Sequence, residues 1–330
     1  MTWYALDNIE EALQDTKDKL LPFDFVTWAK LAVIVFLTGS AAGGPSYVNP
    51  GNFGGGDFSE PNFDEGVESD FSSSLEGLKV DMHQMNNFEA PENLAGFDAA
   101  YAVLFAVGVA LFGLLLLLTY ITSVFQFVMY KSMIDDVKIG YAKNFLSEGL
   151  QYFIFRWITL VATVLVVGLG FGLGTALGLS FNIYGILGGI GIGAVVLAGI
   201  LVIGVIRWIA FNLALPEMVR NGSGLSTALE KSISEARDQF AEVGVFWLMK
   251  LVIGLGLGIA TMTIIFPAVI LLLIPFGIIG YLLMLLTPAF LVPVILLYFL
   301  AVLVLGLAVS VPVKVYTYSY ILEMHGDLLQ

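Results

Sequence analysis

"LVIGLGLGIATMTIIFPAVILLLIPFGIIGYLLMLLTPAFLVPVILLYFLAVLVLGLAVSVPV", Leu251–Val313, runs for 63 residues without an Asp, Glu, Lys or Arg. The natural solvent of such a run is hydrocarbon. A helix rising 1.5 Å per residue needs about 20 apolar residues per crossing, so the run is long enough for three crossings. Pro267, Pro275, Pro288 and Pro293 interrupt it. Each lacks the N–H that would continue a helix, and its ring crowds the carbonyl four residues back. The expectation is two full crossings with 267–288 as a broken or re-entrant segment between them. Such backbone survives at membrane depth only where protein or a cavity shelters it. The four prolines, with Gln126, are therefore the candidate hinge or cavity residues.

Outward from this run the chain keeps the same character. Of 330 residues, 58% are hydrophobic and 12% charged, with a mean hydropathy of +0.90; soluble domains carry roughly 25% charged residues. Apolar stretches at about 25–42, 99–129, 153–177 and 183–206 each suffice for one crossing, and another begins near 243. The first is barely long enough, and Lys30 must snorkel to the interface. The sequence thus predicts an all-α integral membrane protein with six transmembrane helices plus the broken segment. Seven full spans are the alternative. The expected organisation is an amphipathic helix over 1–24, a first span over 25–43, a loop over 44–98 and the main membrane domain over 99–330.

Charge sets the expected orientation. Thirteen of the fourteen Lys/Arg fall in the N-terminal segment, in 131–156, in 207–250 or at Lys314. These blocks alternate with 44–98, the turn at 178–182 and the uncharged stretch, so the positive-inside rule makes both termini cytosolic and 44–98 extracellular. That loop holds eleven Asp/Glu against one base, Lys79, in a chain of net charge −13. An acidic face with few lysines suits concentrated salt, so a halophilic archaeon and its cell membrane are expected. Ser73 and Glu76 make a capping box ahead of a stripe of Leu75, Leu78, Met82 and Met85, which predicts a short helix in the loop. Asp57, Glu60, Asp64, Glu65, Glu68 and Asp70 lack the D-x-D-x-D-G register of a calcium loop, and a solvated acidic surface is the expectation.

Two amphipathic helices are expected on the cytosolic side. In the first, Leu6, Ile9, Leu13, Thr16 and Leu20 share one face at helical spacing, with carboxylates opposite. In the second, over 223–240, Leu225, Leu229, Ile233, Ala236 and Phe240 form the stripe and Ser223 is the expected N-cap. Asn221 begins the chain's only N-x-S/T sequon, which stays bare on this topology. Three spans open alike, at "WAKLAVIVFLTG", "WITLVATVLVVGLG" and "WLMKLVIGLGLG". Tryptophan beside a base marks an interface, which makes Trp28, Lys30, Arg156, Trp157, Arg207, Trp208, Trp247 and Lys250 the expected anchors.

Signatures of chemistry are sparse. The chain has no cysteine, and its two histidines, His83 and His325, lie far apart in sequence. Thiol chemistry is excluded, and no metal or cofactor is expected. "GLGFGLG" and "GGIGIGAVVLAG" lack the lysine or acidic partner of a phosphate loop. Gly168 and Gly172, and Gly185, Gly189 and Gly193, instead predict close packing between the third and fourth spans. Asn182, Asn212 and Glu217 join Gln126 and Arg207 as polar residues in or beside apolar runs, and no charge sits deep enough for a proton relay.

The stretch "GLSTALEKSISEARDQFAEVGVFWLMKLVIG" resembles the membrane-domain segment of the glycerophosphoryl diester phosphodiesterase membrane-domain group. With "LLPFDFVTWAKLAVIVFLTG" and "VPVKVYTYSYILEMHGD", the chain is similar to uncharacterised haloarchaeal six-helix proteins related to that group. The resemblance implies an integral membrane domain without the catalytic barrel. A non-catalytic scaffold or partner subunit is therefore expected, bound to membrane lipids and to a protein partner or further copies of itself, with no nucleic acid. The alternative is a carrier or lipid-handling protein with a cavity around 267–293.

Overall fold

The computed structural model describes residues 4–39, 99–176, 183–287 and 291–328. The acidic loop with its capping box and acidic cluster, the 178–182 turn and Pro288 lie outside these. Among the described residues there is no strand. The helices are α1 (Tyr4–Leu20), α2 (Phe25–Leu37), α3 (Ala99–Ile134), α4 (Leu146–Ala176), α5 (Ile183–Ile209), α6 (Leu215–Asn221), α7 (Leu225–Asp238), α8 (Phe240–Leu286) and α9 (Leu291–Leu328). A 3₁₀ segment, Ile139–Phe145, leads into α4, and a π turn, Ala210–Ala214, joins α5 to α6. The chain divides into two units, Gly55–Leu117 and the remainder. The described part of the first is the beginning of α3, whose Leu104, Phe105 and Leu111 are exposed. All other described residues belong to the larger unit.

Among the described residues, five helical stretches are long and apolar enough to cross a membrane: Leu104–Ile134, Ile139–Thr175, Gly188–Asn221, Phe240–Leu285 and Leu291–Asp327. By length and composition these helices are compatible with a multi-pass membrane protein. α2 is apolar but has only 13 residues, about 20 Å against a core of about 30 Å. Asp24 caps it, accepting from the backbone N–H of Thr27 at 2.9 Å and from its hydroxyl at 2.6 Å. Those bonds hold the Asp24 carboxyl below the usual range.

Burial is concentrated at one end of the larger unit. At most 17% of the apolar window in any of the five spans is buried, whereas Phe127–Tyr130, Ala210, Leu213–Leu215 and Ile321 are closed off almost completely. This headpiece is made by α1, α2, α6, α7, the π turn, the C-terminal ends of α3, α5 and α9, and the N-terminal parts of α4 and α8. Beyond it the helices leave their sides to hydrocarbon, where apolar faces need no protein cover.

Four sequence-level expectations change here. First, 267–286 is not a break: Pro267 and Pro275 lie inside the continuous α8. In hydrocarbon each proline orphans one carbonyl, while a break exposes several backbone groups, so continuing the helix costs less. Pro293 sits in the first turn of α9, where its missing N–H had no partner to lose. Second, α1 buries Asn8, Ala12, Thr16 and Leu20 and leaves Leu6 and Leu13 exposed. Small Ala12 lets α1 lie along α9, and Asn8 donates to Asp327 Oδ2 at 2.8 Å. Third, α7 starts after Gly224 rather than Ser223. Gln151 Oε1 of α4 accepts from the Leu225 N–H at 2.9 Å, a tertiary bond in place of a side-chain cap.

Fourth, α4 and α5 do pack together, but through other glycines. A Cβ on Gly170 would collide with Val196, and one on Gly199 would come within 2.9 Å of Val166. At Gly168, Gly172 and Gly193 it would meet nothing within 4 Å. The contact face lies two positions away from the expected rows. Lipid provides no hydrophobic drive between helices, so this fit carries the α4–α5 contact. Gly170→Val is expected to destabilise the protein by about 1–3 kcal/mol, the usual cost of overpacking, while Gly168→Ala has little effect; thermal unfolding in detergent compares the two.

Candidate functional site

Pro216 organises the region where α5 leaves the membrane. In the π turn the Leu215 N–H reaches back to the carbonyl of Ala210. The next N–H in that register would serve Phe211, but residue 216 is proline and has none. The Tyr130 hydroxyl from α3 supplies the missing donor, 2.9 Å from the Phe211 carbonyl. The widened turn also frees Asn212, which donates to the Trp208 carbonyl at 2.7 Å and accepts from Lys250 Nζ.

An aromatic centre forms around this turn. Tyr130 and Tyr318 lie 4.6 Å apart, and Phe211 is 6.1 Å from Tyr318. Lys250 stands over the Phe211 ring at 5.1 Å. Expected anchors meet here in pairs. Arg156 of α4 is within electrostatic reach of Arg207 of α5, with buried Tyr152 beside both. Lys250 of α8 is paired in the same way with Lys314 of α9. Arg156 is also within electrostatic reach of Tyr318. None of Arg156, Arg207 and Lys250 makes an ion pair with a carboxylate among the described residues. One guanidinium nitrogen of Arg156, Nη1, is buried without a hydrogen-bond partner.

The remaining predicted residues are dispersed. Trp28 donates to the Leu20 carbonyl at 3.2 Å and fixes the α1–α2 corner, with Lys30 half-buried two residues on. Trp208 packs on Phe246 at 5.5 Å, and Trp247 is 39% exposed. Trp157 lines a shallow apolar groove with Phe153, Val161 and Leu165. At about 100° per residue, that groove faces away from Tyr152, Thr159 and Gly170 on α4. Gln126 Oε1 is buried without a hydrogen-bond partner. Pro267 stands about 25 Å along α8 from Lys250, so the prolines and the basic residues form no common site.

A second polar cluster locks the headpiece. Glu217 is 4% exposed and sits between three elements. Its Oε1 accepts from Lys231 Nζ of α7 at 2.7 Å and from Asn221 Nδ2 at 2.8 Å, and its Oε2 lies 3.6 Å from His325 Nε2 of α9. Arg220 donates to the Leu322 carbonyl at 2.9 Å. Burial pushes the Glu235 carboxyl up, while nearby Lys231 pulls the other way. At the far side Lys19 donates to the carbonyls of Ser132 and Asp135 at 3.1 and 3.3 Å. Burial holds its ammonium below the usual range despite Asp15, Asp135 and Asp136.

Glu217 was visible in sequence as a polar residue beside an apolar run, whereas its partner His325, 108 positions away, was not. The one local signal for the π turn is "LALPEM", a proline just after the exit of a span. Lys231→Ala leaves the buried Glu217 carboxylate without its counter-charge and is expected to cost about 3 kcal/mol. Glu217→Ala removes that carboxylate with its hydrogen bonds to Lys231 and Asn221 and is expected to cost about 1–2 kcal/mol, because the Lys231 left behind is 43% exposed and reaches water. Urea unfolding in a mild detergent separates the two values.

No curated protein and no solved structure matches the chain. A family model does, over residues 3–330. The chain belongs to DUF7544, a family of unknown function.

Proposed function

We propose that this protein is a non-catalytic scaffold or partner subunit of the cell membrane, with its headpiece in the cytosol. The observation that carries this is how the headpiece spends its polar side chains. Asn8 to Asp327, Arg220 to Leu322 and Lys231 to Glu217 tie separate helices to one another. They hold a platform in shape and do not converge on a reacting centre. The platform presents α7, whose Glu230, Ile233, Ser234 and Arg237 are exposed. Exposed Ile233 among charges suits a protein partner. The alternative of a carrier loses its motivation, because α8 passes through Pro267 and Pro275 unbroken. The relation to the phosphodiesterase membrane-domain group and the halophilic source belong to this proposal too, resting on "GLSTALEKSISEARDQF" and on the acidic 44–98 segment respectively.

Crosslinking in intact membranes, followed by purification, is expected to yield one protein, or a second copy of this chain, at fixed stoichiometry. Ile233→Glu with Arg237→Glu should abolish that crosslink without lowering the melting temperature. A chain that crosslinks to nothing and purifies as a lone monomer refutes the scaffold.

Orientation has a separate test, made clean by the absence of cysteine. A membrane-impermeant maleimide applied to intact cells is expected to label Ser72→Cys and to spare Ser234→Cys. The reverse pattern turns the topology over.

A further inference from the structure

We propose that Arg156 and Arg207 together clamp the phosphate of one anionic lipid in the leaflet on the headpiece side. The proposal is independent of whether a protein docks on α7.

Position comes first. Gly170 meets Val196, and Val166 meets Gly199, which fixes the antiparallel register of α4 and α5. Continuing that register brings Arg156 and Arg207 within about one turn of each other. From Arg156 to the end of α4 at Ala176 is about 30 Å of helix, one hydrocarbon thickness. The pair therefore stands at the boundary between acyl chains and headgroups, the depth at which lipid phosphates lie.

Electrostatics comes second. Two guanidinium groups on packed helices repel each other, and the side chain beside both, Tyr152, is a phenol and not a carboxylate. Neither makes an ion pair among the described residues. At the edge of a low dielectric their repulsion is stronger than in water, and an anion between them relieves it. A lone interface arginine would simply snorkel into mixed headgroups. This pair differs, because Arg156 Nη1 is buried and lacks a hydrogen-bond partner. A buried charged donor costs free energy until an acceptor reaches it.

Chemistry names the acceptor. A guanidinium is a planar fork that matches two oxygens of a phosphate, and two forks match the non-bridging oxygens of one phosphodiester from two sides. A zwitterionic headgroup brings its own cation up to the two guanidinium groups, so an anionic lipid is preferred. Inorganic phosphate shares the same chemistry, and the test distinguishes the two sources.

The full chain is purified in mild detergent and studied by native mass spectrometry during stepwise delipidation, then after adding vesicles of phosphatidylglycerol or phosphatidylcholine. Wild type is expected to retain one phosphatidylglycerol and to release phosphatidylcholine. Arg156→Gln with Arg207→Gln is expected to lose the bound fraction by on the order of tenfold, the share of a charge-assisted fork. Lys138→Gln, at an exposed base, leaves it unchanged. Arg207→Lys keeps charge and fold but loses the fork, and covers the case in which the double variant fails to fold; it is expected to weaken retention by several-fold. Melting of delipidated protein with added inorganic phosphate forms the second arm. Arginine-dependent lipid retention names the lipid as source, and arginine-dependent stabilisation by phosphate alone names a soluble phosphate; both support a phosphate clamp. Equal retention and stabilisation in wild type and variants, or none in wild type, overturns it.

Discussion

A peptide group inside hydrocarbon finds no water, and its N–H and C=O must be satisfied by the chain itself. That constraint shapes every spanning helix of this protein. It keeps α8 continuous across two prolines, since losing one bond at each costs less than opening the backbone. It also explains the junction at Pro216. There the missing donor falls where α5 leaves the apolar zone, and a tyrosine hydroxyl from another helix replaces it. One orphaned carbonyl thus draws α3 and α5 together and sets Phe211 and Asn212 in the positions from which they meet Lys250.

The same physics separates the molecule into two regimes. Among the spans, protein–protein burial is slight, because an apolar side chain gains little by exchanging lipid for protein. In the headpiece water returns, and with it the drive to bury apolar surface and the need to pair buried polar groups. The packed aromatic rings and the interhelical hydrogen bonds are found there for that reason. The helix-tying polar contacts and the unpaired arginines lie on either side of the boundary between the regimes. Carboxylates balance the bases in the headpiece, and at the edge of the hydrocarbon they do not.

Hydropathy made the all-helical, apolar class and four of the long helices legible in the sequence. Local patterns misjudged details that depend on what a neighbour offers. Proline's local rule pointed to a break at 267–288, but the solvent reversed the cost. The α1 stripe looked like Leu6, Ile9 and Leu13 because leucine outranks alanine and asparagine in hydrophobicity; packing on α9 instead selected small Ala12 and hydrogen-bonding Asn8. The glycine rows were right in kind and wrong in register, since GxxxG spacing recurs on more than one face of α4 and α5. The Arg156–Arg207 pair was legible only as two separate anchors. Their meeting depends on antiparallel alignment over the length of two helices, which no local pattern carries.

The 13-residue α2 packs against the 38-residue α9. From Val311 onward α9 is part of the headpiece, and Leu31, Ile34 and Val35 of α2 pack into the same core. An apolar helix of about 20 Å is shorter than a hydrocarbon core of about 30 Å, and lipid that meets such a helix thins at a fraction of a kcal/mol per ångström. On its buried side α2 avoids that mismatch, because protein and not lipid covers it there.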